Sequence, residues 1–81
     1  MARISGKADT HAQLLKLGAA IRAERKAKGL SQEALADSAG IDRSHMGKIE
    51  RGERNLSLLN LIKIAGALNL KPSALLTASG W

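Results

Sequence analysis

The sequence predicts a small all-α fold of five short helices, and three observations carry that expectation. Ala (14) and Leu (13) supply a third of the 81 residues, Val is absent and Ile plus Thr total 8, so side chains that favour strands are scarce. Apolar residues recur at i, i+3, i+4 spacing and nowhere alternate over a strand's length. Glycines stand just past the periodic stretches, and Ser or Asp stands just before the next, which are stop and start signals for helices.

Residues 1–10 (MARISGKADT) are polar, basic and aperiodic, and are expected to be a flexible basic arm carrying Arg3 and Lys7. A helix follows from about His11 to Lys28, with Leu14, Leu17 and Ile21 on one face, Arg22 and Lys26 on the other, and Gly29 as a left-handed stop. Ser31 caps a second helix of about two turns, which carries Gln32 and Glu33 in its first turn and stops near Ala39 at Gly40. Asp42 caps a third through about Arg51, with Met46 and Ile49 facing inward and Gly52 ending it. After the polar GERNLS, Ser57 caps a fourth helix over Leu58–Leu68, eight of whose eleven residues are apolar. Its inner stripe is read as Leu58, Leu61, Ile62, Ala65 and Leu68, which leaves Leu59 and Ile64 as spare apolar surface. Pro72 suits the first position of a fifth helix holding Leu75 and Leu76. One domain over residues 11–77 results, with residues 78–81 as a tail.

Composition excludes several classes of function. No apolar run exceeds three residues, so neither a membrane span nor the apolar core of a signal peptide is present, and a cytoplasmic protein is expected. With no Cys, two isolated histidines (His11, His45), no glycine-rich phosphate loop and no clustered metal ligands, neither catalysis nor a cofactor, metal or small-molecule ligand is expected. The net charge of +6 points instead to a polyanion.

The stretch Gln32 to Gly52 narrows that choice. Two short helices joined by a glycine turn must cross closely, which requires a small residue at the contact, a left-handed residue at the turn and apolar inner faces. Ala36, Gly40 and the set Leu35, Ala39, Ile41, Met46, Ile49 meet those needs. In this context the chain resembles the lambda-repressor-like (Cro/CI-type) helix-turn-helix family of DNA-binding domains. The carrying residues are Leu17-Gly18, Ile21-Arg22 and Arg25, then Gly29-Leu30-Ser31-Gln32-Glu33, Leu35-Ala36, Ala39-Gly40-Ile41, Ile49-Glu50-Arg51-Gly52 and Leu61 to Leu68. Arg43-Ser44, Arg54-Asn55, Ser57-Leu58, Asn60-Leu61, Ile64-Ala65 and Ala67-Leu68 are further similar to the small controller proteins of restriction-modification systems. The resemblance implies a bacterial or phage-encoded regulator associated with the nucleoid, acting as a repressor or activator.

The third helix is the expected reading head. At roughly 100° per residue, Ser44, Gly47, Lys48 and Arg51 project away from Met46, with Arg43 on the N-terminal flank. Arg43 and Lys48 can donate to guanine O6 and N7, Ser44 to a base or phosphate, and His45 lies beside this face. The resemblance implies base contacts at Arg43, Ser44 and Lys48 and a phosphate contact at Gln32. Arg54, Asn55, Arg22 and Arg51 are placed as further phosphate contacts. Gly47 is unusual, since a glycine inside a helix costs about 1 kcal/mol relative to Ala; close approach to the groove floor and tolerated drift account for it equally. Arg25 and Glu50 fall toward the inner faces of their helices, where an unpartnered charge is costly, so they are expected to pair. In the family this pair is a structural bridge.

Residues 1–30 carry 7 basic side chains against 2 acidic, and residues 31–56 carry 4 against 5, so long-range attraction comes from outside the motif. Glu33 and Asp37, like charges four apart, suit either a contact with RNA polymerase or a plain solvated face. Leu59, Ile64, Leu75 and Leu76 are the expected homodimer interface on a pseudo-palindromic double-stranded operator. The alternatives are an antitoxin or phage-type repressor of the same fold, or a protein-interaction module that ignores DNA.

Overall fold

The computed structural model describes residues 10–81, which form five helices: α1 (Thr10–Ala27), α2 (Gln32–Ala39), α3 (Arg43–Glu50), α4 (Leu58–Ala67) and α5 (Pro72–Ala78). The basic arm expected at the N-terminus lies outside the described residues but for Thr10, which opens α1. No described helix is long and apolar enough to cross a membrane.

Local chemistry sets each boundary. Ser31 Oγ accepts from the Ala34 N–H at 2.9 Å, Asp42 Oδ2 from Ser44 N–H at 3.0 Å and His45 N–H at 3.3 Å, and Ser57 Oγ from Asn60 N–H at 3.1 Å. These bonds satisfy donors that a helix start leaves unpaired. All five helices end alike. A left-handed residue (Gly29, Gly40, Gly52, Asn69 or Gly80) turns the chain back. The next N–H then donates to the carbonyl five residues earlier, at 3.1 Å for Leu30 to Arg25, 2.9 Å for Ile41 to Ala36, 2.8 Å for Glu53 to Lys48, 2.8 Å for Leu70 to Ala65 and 3.0 Å for Trp81 to Leu76. The last of these corrects the separate tail: Ser79 is buried and Trp81 closes α5, so residues 78–81 belong to the domain.

The core gathers Ile21, Leu35, Ala36, Ala39, Met46, Ile49, Leu61, Ile64, Ala65, Leu68 and Leu75. Within it α2 packs on α3 and α4, while α1 lies across α3 and α5. The phase of α4 differs from expectation. Its buried face is Leu61, Ile64, Ala65 and Leu68, whereas Leu58 and Ile62, expected inside, are 71% and 46% exposed. An almost wholly apolar helix carries two overlapping stripes, and only the pitch at which α2 and α5 meet it selects one. Ile64 and Leu75 are fully buried within the domain, which removes both from the expected dimer interface.

The contact between α1 and α3 is made backbone to backbone. A Cβ on Gly18 would stand 2.5 Å from the carbonyl oxygens of both Ile49 and Glu50, and one on Gly52 would stand 2.9 Å from the Leu15 Cα. Neither obstacle is a flexible side-chain tip, so Gly18→Ala forces the helices apart and is expected to lower stability by about 1–3 kcal/mol. Gly66 on α4 faces open space, and Gly66→Ala is expected to raise stability by about 0.4–1 kcal/mol. Urea denaturation of the two variants checks the pair of signs; a neutral Gly18→Ala would refute the close crossing.

Candidate nucleic-acid interface

The third helix, α3, is positioned by a buried polar network. Arg25 Nε donates to Glu50 Oε2 at 2.8 Å and Arg25 Nη2 to Glu50 Oε1 at 3.0 Å, a two-point ion pair whose side chains are only 10% and 2% exposed. The remaining guanidinium nitrogen, Nη1, donates to the Leu30 carbonyl at 2.9 Å, and Gln32 Nε2 donates to Glu50 Oε1 at 3.1 Å. One carboxylate on α3 thereby receives donors from α1 and α2, and the arginine also holds the loop between them. The hydrogen bond to Glu50 raises the Arg25 pKa above its ordinary value, against the opposing pull of burial. Among the described residues no buried side-chain polar atom lacks a partner.

On the outer side of α3, Arg43, Ser44 and Arg51 are exposed, and His45 and Lys48 are half-buried. Gly47 does not project freely, as the helical spacing suggested; it is buried, because the Gln32 carboxamide and the Arg51 guanidinium lie over it. A Cβ there would stand 3.2 Å from both Gln32 Oε1 and Arg51 Nη1. Gln32, Arg43, Ser44, Gly47 and Arg51 line one shallow depression. A second, on the other side of the Gln32 and Arg51 side chains, is lined by Arg22, Arg25, Gln32, Glu50 and Arg51. Arg54 and Asn55 are exposed in the loop before α4.

Two contacts at this surface are not legible in the sequence. Gln32 was expected to present its amide to a phosphate, yet that nitrogen already donates one N–H to Glu50. Arg51, expected as a phosphate contact, donates through Nε to Glu53 Oε2 at 2.9 Å and through Nη2 to Oε1 at 3.3 Å. That hydrogen bonding raises the Arg51 pKa and holds the Glu53 carboxyl below its ordinary value. The only sequence signal for this pair is the left-handed Gly52 between them, which folds position 53 back toward position 51.

The network yields a stability prediction. Glu50→Ala leaves the Arg25 charge buried without its partner and is expected to cost about 3–5 kcal/mol. Replacing both partners by apolar residues (Arg25→Met with Glu50→Leu) is expected to recover most of that loss. Chemical denaturation of the single and double variants measures the difference, and a single variant as stable as the wild type would contradict it.

The Helix-turn-helix family model matches residues 21–75. The chain is 45% identical over 60 residues to control protein C.SmaI of Serratia marcescens, covering 74% of this chain and 71% of that protein. It is 43% identical over 63 residues to control protein C.BamHI of Bacillus amyloliquefaciens, covering 76% and 78%. The crystal structure of the restriction-modification controller protein C.AhdI of Aeromonas hydrophila superposes with a TM-score of 0.78 at 53% identity, over 79% of this chain and 97% of that one. With more than half of its length matched and its relatives named as regulators rather than enzymes, the chain belongs to the helix-turn-helix family of DNA-binding transcription regulators.

Proposed function

We propose that this protein binds a pseudo-palindromic operator in double-stranded DNA as a homodimer. In this role it is a restriction-modification controller that acts on its own gene and its neighbours from the bacterial cytoplasm. The observation that carries this reading is the depression on α3, where Arg43 and Ser44 stand exposed on a helix whose opposite side is fixed by the Arg25–Glu50–Gln32 network. Rigid presentation of donors is what base readout in the major groove needs.

In this reading Arg43 makes a bidentate contact with guanine, Ser44 and Lys48 contact neighbouring bases or sugars, and His45 flanks them. Gln32, with its second amide hydrogen, joins Arg22, Arg54 and Asn55 on backbone phosphates, which set register without reading sequence. Glu33 and Asp37, exposed on α2, are the side chains that a polymerase contact would use. Dimerisation draws support from the apolar ribbon of α4, where Leu59 is 62% exposed beside Leu58 and Ile62, with the half-buried Leu76 on α5 as a further candidate. A two-fold dimer would then place its reading helices about 34 Å apart, one turn of the duplex.

Arg43→Glu is expected to abolish operator binding in a gel shift while changing stability by no more than about 0.5 kcal/mol; retention of specific binding would reject the assignment. Leu59→Asp combined with Ile62→Asp is expected to shift sedimentation from dimer to monomer and weaken binding; an unchanged dimer would move the interface elsewhere. With roughly six to eight phosphate contacts per dimer, log K against log salt should fall with a slope of about −5 to −7.

A further inference from the structure

We infer that Glu53 is a positioning residue that aims the Arg51 guanidinium into the reading depression, making Arg51 a determinant of operator specificity. The inference rests on the DNA-binding reading above.

Arg51 has both a seat and a brace. The seat is Gly47, where the missing side chain lets Nη1 lie over α3 next to Gln32 Oε1, each 3.2 Å from where a Cβ would be. The brace is Glu53, which takes the Nε and Nη2 hydrogens on the side edge of the guanidinium at 2.9 and 3.3 Å. Glu53 itself is anchored, because its N–H donates to the Lys48 carbonyl at 2.8 Å in the turn that ends α3.

A guanidinium has five N–H donors on two usable edges. The carboxylate occupies the side edge formed by Nε and Nη2, which leaves the end edge of Nη1 and Nη2 unclaimed by Glu53 on a side chain that lines the depression shared with Arg43 and Ser44. That end edge matches a pair of acceptors such as guanine O6 and N7 or two phosphate oxygens. An unbraced arginine samples many rotamers and meets any phosphate, whereas a braced one meets only acceptors at one place.

Glu53 also places a negative charge at the edge of a surface meant for a polyanion. A charge that opposes DNA binding in general can still serve specificity where it favours one register over others. The charge weakens binding to every duplex alike, whereas bracing acts on the ratio between duplexes, which makes the two roles separable.

The experiment uses the full chain and two duplexes: one selected by the wild-type protein from a random-sequence pool, and a scrambled control. Glu53→Ala is expected to tighten binding to the scrambled duplex and to lower the ratio of selected to scrambled affinity by roughly threefold per protomer. In an Arg51→Ala background, Glu53→Ala is expected to leave that ratio unchanged. Replacing the guanines of the selected duplex by 7-deazaguanine, or single phosphates by methylphosphonates, shows which acceptor pair carries the Arg51-dependent part. Equal tightening on both duplexes, with an unchanged ratio, would reduce Glu53 to a simple charge effect and overturn the inference while leaving DNA binding intact. Failure of the wild type to select any sequence would overturn the DNA-binding reading and this inference with it.

Discussion

The Glu50 carboxylate is the group on which the arrangement of the first three helices depends. It belongs to α3, yet its two oxygens are shared among Arg25 on α1 and Gln32 on α2, and Arg25 in turn holds the Leu30 carbonyl. A buried ion pair of this kind contributes little net stability compared with well-packed apolar side chains, because desolvation offsets most of the attraction. Its value is directional: hydrogen bonds have preferred angles, whereas apolar contacts tolerate rotation and sliding. The core residues Met46 and Ile49 decide that α3 docks, and Glu50 fixes its angle.

The same network connects the interior to the surface. Gln32 donates to Glu50 with one hydrogen and lies over Gly47 with its oxygen, so it forms part of the outer depression while belonging to the inner one. A phosphate drawing on its second hydrogen would therefore act on a side chain that is already oriented, and no rotamer freedom has to be lost on contact.

How much could be read beforehand varied with the type of interaction. Helix limits were legible because they are set by residues adjacent in sequence: Ser31, Asp42 and Ser57 cap their own helices, and Gly29, Gly40 and Gly52 end theirs. The orientation of α4 was not, since Leu58, Leu59, Ile62 and Ile64 are equivalent to a periodicity argument and differ only in which neighbour meets them. In the candidate site, the outward residues Arg43 and Ser44 follow from helical spacing. The placement of Gly47 beneath two side chains and the bracing of Arg51 by Glu53 depend on rotamers and on the turn at Gly52, which composition and spacing do not encode.

The backbone contact at Gly18 has a mechanical consequence. Side-chain interfaces can slide by small rotamer changes, but α1 and α3 meet where a single methyl group has no room, and such a joint has almost no play. Sliding of one helix past the other is thereby restricted. In the proposed DNA complex, a protomer built this way would resist bending α3 away from α1 to follow a distorted groove. In the proposed dimer, any mismatch between the two half-sites of an operator would then be absorbed by the duplex, through sequence-dependent bending and twist. The stiffness of the DNA between half-sites would thereby become part of what such a dimer measures, at base pairs it never touches.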